Sequence, residues 1–325
     1  MGFGPVIVEA EQFTLEALPA ADRKEALDMG MTIRAAVIKG LFHRLDGAAF
    51  APESNVKSIE MAAALAIQKL EPAHFERMRP AVVKLRDDAA RLGQLTGMTV
   101  PELLKAGAVK VPSIQATGAK GAPVAQAAMV QSAAAAAPKY KRLDLNLRAV
   151  HCVDETNPEI GSDSMVVGAV RVGASGNIGV TAAIPAGDYD DGTRRSFGEL
   201  PFGTVSLLTT KTWPKTFYWI FQLVESDSDD AEVANALTGF LSVAASAVAG
   251  AFGGKEASTI AAAIIDTLKN LIGIFIDDDY FPPYGVAIKL NSENEFGPGG
   301  IRDEHTQNIS DHGGSYRLGY RLRFV

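Results

Sequence analysis

Hydrophobic positions change their period twice along this chain. From Pro19 to about Gly107 they recur every three to four residues: Ala26, Met29, Ile33, Val37 and Leu41 share one face, and Gly47 follows as a stop. The spacing predicts a second helix from Asn55 to Leu70 with Ile59, Ala62, Ala63, Ala66 and Ile67 inward. Pro72 and Pro80 punctuate a third and a fourth, whose inward set includes Phe75, Met78, Val83, Leu85 and Leu92. A short last helix follows Thr99 as its cap, with Pro101 in the first turn where a missing N–H costs nothing. Residues 1–107 are therefore expected to form an all-α helical bundle.

Residues 108–142 form an Ala-rich linker. Its stretch from 108 to 139 is low in complexity and lacks large apolar anchors, so it cannot bury enough surface to offset its ordering entropy. A mobile tether is expected, with Ala133 to Ala137 able to form a turn of helix. After Lys141 the period falls to two, and Leu143, Leu145, Leu147, Ala149 and His151 are expected on one strand face. Further strands are predicted at Met165 to Val172, Ile178 to Ile184, Phe202 to Thr209, Thr216 to Val224, Tyr284 to Leu290 and Tyr316 to Val325. Seven strands with turns of Gly, Asp and Pro predict an antiparallel β-sandwich over 143–325. The whole reads as an α+β multidomain chain.

An insertion at about 231–276 has a different character. Residues 233–252 carry no charge, a length sufficient for a helix to cross a bilayer core of roughly 30 Å. Gly253 and Gly254 break it, and a second apolar helix follows with Asp266 and Lys269. Ser242, Ser246, Gly250 and Gly254 form a stripe of small residues that lets helices approach closely. This helical hairpin has three readings: burial against the sheet, insertion into a membrane, or the seam of an oligomer.

Length and charge narrow the picture. A chain of 325 residues suggests two domains. Residues 1–107 carry 13 basic and 14 acidic side chains, whereas residues 143–325 carry 13 and 24. Acidity of the C-terminal half disfavours nucleic acid as a partner, because phosphate contacts need clustered Lys and Arg. A single cysteine, Cys152, excludes an internal disulfide framework and a cysteine-based zinc cage. The start lacks the basic and apolar regions of a secretory signal, and Val6 stands where a myristoylation motif needs Ser or Thr. A cytoplasmic location is expected, with lysis or a dedicated apparatus as the only ways out.

The acidic residues gather at four breaks in the strand pattern: Asp154, Glu155, Glu159 and Asp163; Asp188, Asp190 and Asp191; Glu225, Asp227, Asp229 and Asp230; and Asp277, Asp278 and Asp279. In an up-and-down antiparallel arrangement alternate connections emerge at one pole, so these charges are expected to converge. Calcium takes six to eight oxygens from flexible carboxylate-rich loops. The expected calcium ligands are drawn from Asp154, Asp163, Asp188, Asp190, Asp191, Asp227, Asp229, Asp230, Asp277, Asp278 and Asp279. The competing reading is solvated turn aspartates. At the opposite pole the loops near Gly173 and Lys211 hold no carboxylate, although the connection from Asn291 to Gly314 carries several.

DETN with a following SD, then DYDDG, WPKT, DDDYFPP and a final YRLGYRLRF resemble a pattern in uncharacterised bacterial proteins whose sandwich is interrupted by a Gly- and Ala-rich hairpin. That resemblance covers 143–325 and implies no settled activity. In architecture alone, acidic loops at one end of a sandwich are also similar to the calcium-dependent lipid-binding domains of protein kinase C and synaptotagmin. This likeness implies Asp154, Asp163, Asp227, Asp229 and Asp230 as ligands, and the inserted hairpin departs from it.

Catalytic signals are weak. His151 and Cys152 are neighbours on a strand and point to opposite faces, so they cannot act together. His43, His74, His305 and His312 lack metal spacing. Paired aspartates are able to serve a glycosidase, but the acidic loops offer only Tyr189, Tyr280 and Phe281 to hold sugar. Trp213 and Trp219 read as anchors of the sandwich core, and no P-loop, GxSxG or HExxH occurs. GASGNIG follows a strand and opens no helix, which makes it a hairpin turn. The expected function is a non-enzymatic binding or effector module, engaging an anionic membrane surface or a protein partner through calcium. The alternatives are a structural or cargo subunit of a bacterial or phage-like assembly and a toxin that inserts its hairpin.

Overall fold

A computed structural model describes residues 10–47, 59–105, 107–109, 140–155, 163–208, 212–226, 229–251, 255–276, 279–292, 304–311 and 313–325. An N-terminal helical region is followed by a β-rich region of two sheets with an inserted helical hairpin. The helices are α1 (Ala20–Leu45), α2 (Ile59–Gln68), α3 (Pro72–Asp87), α4 (Ala89–Thr96), α5 (Val100–Leu103) and the hairpin α6 (Asp230–Ala251) and α7 (Ala257–Phe275). The strands are β1 (Ala10–Phe13), β2 (Arg142–Asp154), β3 (Asp163–Val172), β4 (Ile178–Tyr189), β5 (Arg194–Ser206), β6 (Lys215–Glu225), β7 (Tyr284–Leu290), β8 (His305–Asp311) and β9 (Gly314–Phe324). Antiparallel pairing gives one sheet in the order β1-β7-β6-β3-β4 and another in the order β5-β2-β9-β8.

The central strand β6, KTFYWIFQLVE, explains the layering. All of it but Thr216 is buried, because both of its faces are covered. Phe217, Trp219, Phe221 and Leu223 join a cluster with Leu143, Leu145, Val205 and Leu322 of the second sheet. Ring contacts cross between the two sheets: Phe202 stacks on Phe221 at 5.8 Å, and Tyr189 meets Tyr316 edge-on at 5.9 Å. The alternate residues Tyr218, Ile220 and Val224 belong to a second cluster with α1, α2, α6 and α7. Trp213 is partly buried and packs against the first cluster.

The hairpin sits inside that second cluster. Leu237, Phe240, Leu241 and Val248 of α6 are buried, as are Ile260, Ile264, Leu268 and Leu271 of α7. Both helices are long and apolar enough to cross a membrane, and both are mostly buried. Helices this apolar need cover over most of their surface, and here sheet and helices provide it. Close approach is built in at Gly168 of β3, where a Cβ would meet Leu241 Cδ1 at 2.8 Å.

Several expectations are corrected. Among the described residues nine strands replace seven, since β1 and β8 escape a pattern search: β1 is four residues long, and β8 alternates polar residues along an exposed edge. The strand expected at Phe202 to Thr209 begins at Arg194 and ends at Ser206. Pro80 does not separate two helices. It lies inside α3, where it and Glu76 are solvent-exposed, so the Glu76 carbonyl that it leaves without an N–H faces water. Asp88 ends that helix and caps α4, its carboxylate accepting the Arg91 N–H at 2.9 Å.

A bulge in β2 shifts the expected face. The register slips between Leu147 and Ala149, so the alternation that places Leu143, Leu145 and Leu147 inside continues through Val150 and Cys152, leaving His151 half-buried outside the cluster. The two neighbours do lie on opposite faces, with the inward one being the cysteine. Apart from 108–109 and 140–142, the proposed tether lies outside the described residues.

Candidate functional site

Antiparallel register sets the geometry of the acid-bearing connections. At the start of β3, Asp163 stands opposite Tyr189 and Ser164 opposite Asp188 of β4, while Met165 stands opposite Glu225 of β6. In the second sheet, Asp154 at the end of β2 stands opposite Ser315, three residues beyond the pairing of His151 with Arg194 at the start of β5.

Hydrogen bonds then join these segments. The Glu155 N–H donates to Asp191 Oδ1 at 2.8 Å, the Ser226 N–H to the Ser164 carbonyl at 2.6 Å, and the Glu225 N–H to the Asp279 carbonyl at 2.7 Å.

Individual carboxylates do different work. Asp229 caps α6, accepting the N–H groups of Ala231 at 2.9 Å and Glu232 at 3.2 Å, a role that suits its charge to the helix N-terminus. Asp190 closes the turn into β5: its N–H donates to Thr193 Oγ1 and its carbonyl accepts the Thr193 N–H. Asp191 is exposed and is occupied by Glu155, and Asp154 is exposed. Asp279 is half-buried, and its carbonyl is the group that binds Glu225. The side chain of Asp163, and all of Asp227, Asp277 and Asp278, lie outside the described residues.

Asp188 and Asp230 meet on one hydroxyl. Ser164 Oγ lies 3.1 Å from Asp188 Oδ1 and 2.7 and 2.8 Å from the two oxygens of Asp230. A hydroxyl has one hydrogen to donate, so it serves one of these carboxylates at a time. The neighbouring cation, Arg195, spends its Nε on the Asp188 carbonyl at 2.7 Å and lies over the Tyr189 ring. Among the described residues no group of three or more His, Cys, Asp or Glu side chains is placed to hold a metal ion.

Other candidate groups fall elsewhere. Cys152 is buried in the cluster with Leu143 and Trp219, and His305 stacks on Tyr320 at 5.4 Å. One feature has no counterpart in the expected chemistry. A cleft of about 840 Å³ runs between α2, the start of α3 and α6, and it contains His74. Spacing alone gives no sign of it, because its walls come from segments more than 150 residues apart.

No protein-family profile, no curated protein and no solved structure matches this chain.

Proposed function

We propose that the chain is a non-enzymatic binding module: its two sheets pack face to face as a β-sandwich, and its acidic pole holds calcium against the surface of a membrane or protein partner. The meeting of Asp188 and Asp230 on Ser164 carries this reading. Two carboxylates drawn from different elements repel each other, and a divalent cation between them offsets that repulsion. A pair of carboxylates and a hydroxyl supply fewer oxygens than calcium takes, which leaves positions for water and for an oxygen of the partner. Such a half-filled shell suits bridging, because an anionic lipid head group or a carbonyl from a partner completes it.

Calorimetry of the full chain in millimolar calcium tests the proposal, together with the melting temperature. A ligand bound only by the folded state must stabilise it, so heat of binding and a rise in melting temperature are expected, and both are lost in Asp230→Asn. Neither signal in the parent chain sinks the calcium reading. Flotation with vesicles containing phosphatidylserine tests the membrane arm: calcium-dependent flotation supports a membrane partner, and its absence beside intact calcium binding removes that arm.

A further inference from the structure

The outer face of the second sheet gathers arginines in a half of the chain that is otherwise acidic. On β9, Arg321 and Arg323 alternate with buried Tyr320, Leu322 and Phe324, so both stand on the face turned away from the core. Arg148 joins them from the bulge in β2. Glu199 of β5 lies among the three guanidinium groups. Arg321 Nη1 donates to Glu199 Oε1 at 3.0 Å, whereas Arg148 Nη1 and Arg323 Nη1 stand 3.8 and 3.9 Å from the carboxylate, too far for hydrogen bonds. One carboxylate therefore faces three cations and binds one of them. Asp144, opposite Arg323 in the register, accepts the Thr204 hydroxyl at 2.6 Å, and exposed Arg142 adds a fourth cation beside it. Four guanidinium groups thus stand against two carboxylates.

Asn146 lies at the centre of this patch. It stands opposite Arg321, and its neighbours Leu145 and Leu147 point into the core, which places its amide on the arginine face. Asn146 is 4% exposed, and among the described residues its side chain makes no hydrogen bond. A polar group this deeply covered is seldom left without a partner, and the surface it retains opens towards the guanidinium groups.

The chemistry of the patch limits its ligand. Three cations within reach of one carboxylate converge on a single point, so they suit one compact anion rather than a track along a polymer. Their excess charge favours a dianion over a monoanion. Guanidinium forks match the oxygens of phosphate, and a phosphate monoester carries a charge of about −1.5 to −2 near neutral pH. The Asn146 amide both donates and accepts, which fits a group whose oxygens are bare in one ionisation state and protonated in the other.

We propose that this face binds one phosphate group, free or at the end of a small soluble ligand, with Arg321, Arg323, Arg148 and the Asn146 amide as its donors and Glu199 displaced from Arg321. The inference goes beyond the calcium reading and does not depend on it: the two sites share no proposed ligand residue.

Isothermal titration of the full chain with inorganic phosphate, in calcium-free buffer at about 0.15 M salt, tests it. One saturable site is expected, with formate, a monoanion, binding at least about tenfold more weakly. Phenyl phosphate distinguishes the sources: tighter binding than inorganic phosphate assigns the site to a monoester, and weaker binding assigns it to the free ion. Asn146→Leu keeps the volume and removes the amide, and it should weaken phosphate by at least about tenfold. Arg321→Gln should do the same while leaving the unliganded melting temperature near that of the parent, because this side chain reaches solvent. Glu199→Gln removes the competing carboxylate and should tighten binding by at least about threefold. Absence of saturable phosphate binding in the parent overturns the site. Formate binding as tightly as phosphate overturns the dianion assignment. Unchanged affinity in Asn146→Leu or Arg321→Gln overturns the placement of the phosphate, and unchanged or weaker affinity in Glu199→Gln overturns the displacement of Glu199.

Discussion

Arg34 of α1 forms a buried ion pair with Asp266 of α7, fixing the helical region to the inserted hairpin across 232 residues of sequence. Arg34 Nε also donates to the Leu95 carbonyl at 2.9 Å, and Asn270 Nδ2 donates to Asp266 Oδ1 at 3.1 Å. Gly30 makes room for the contact, since a Cβ there would overlap the Asp266 carboxylate. Removing one partner leaves an uncompensated charge among apolar helices. Arg34→Met should therefore cost about 3–5 kcal/mol in urea unfolding, and adding Asp266→Leu should recover most of it. Burial pushes the Asp266 carboxyl above its ordinary 3.8, against the opposing pull of Arg34, Lys269 and Asn270. The folded chain then holds this proton more tightly than the unfolded chain. Its contribution is full below 3.8 and lost as pH rises through the folded value, so the stability of the parent relative to Asp266→Asn should fall across that range.

His74 has the opposite sign. Desolvation lowers its pKa from 6.5 to about 4, helped by Arg77 and Arg44 and opposed by Glu232. The unfolded chain takes up a proton on this ring before the folded chain does. The resulting contribution is present above 6.5 and lost as pH falls towards 4, a change on the order of 3 kcal/mol. Comparing urea midpoints of the parent and His74→Phe over this window isolates it, and the variant should show the flatter profile. Parallel profiles would mean that the ring takes up its proton as readily in the folded chain as in the unfolded one.

The parts legible in the sequence are those whose burial has one simple period. The apolar run of β6 and the uncharged stretch of α6 are legible because each is largely covered. Leu143, Leu145 and Leu147 were readable, whereas Val150 and Cys152 were not, since a bulge at Arg148 shifts the phase without changing composition. Among the acidic residues, Asp188 and Asp230 share a hydroxyl, whereas Asp229 and Asp190 cap a helix and close a turn. Nothing in residue type separates these roles. The His74 cleft was invisible for a related reason: its walls are Ala, Gly and Ser, which mark close packing as readily as a binding site.

Gly285 is what admits β1 to the sheet. Phe13 stands opposite it, and a Cβ on Gly285 would lie 2.5 Å from the Phe13 carbonyl oxygen and 2.8 Å from Ile265 Cδ1. The Ile265 methyl end can turn aside, but the Phe13 backbone cannot move without shifting β1. Gly285→Ala should cost about 1–3 kcal/mol and displace β1. Hydrogen exchange at the amides of Glu11 to Phe13 should quicken while that of β6 stays slow. Unchanged exchange at β1 would show that the strand shifts to absorb the methyl group.

Lys39 and Glu60 form the second buried pair, 2.8 Å apart, and they determine where the helical region ends. Lys39 Nζ also donates to the Lys105 carbonyl at 2.5 Å, while Glu60 Oε1 accepts the Val109 N–H at 2.8 Å. Each charge therefore holds a backbone group of the segment that leads out of α5, and Val109 is buried as a result. Glu60→Leu strands the lysine and the Val109 N–H together, and the loss should reach about 3–5 kcal/mol. Glu60→Gln keeps an acceptor for Val109 but removes the charge, so exchange of the Val109 amide should stay slow while global stability falls. Fast Val109 exchange in both variants would mean that the charge, and not the acceptor, anchors the chain at this point.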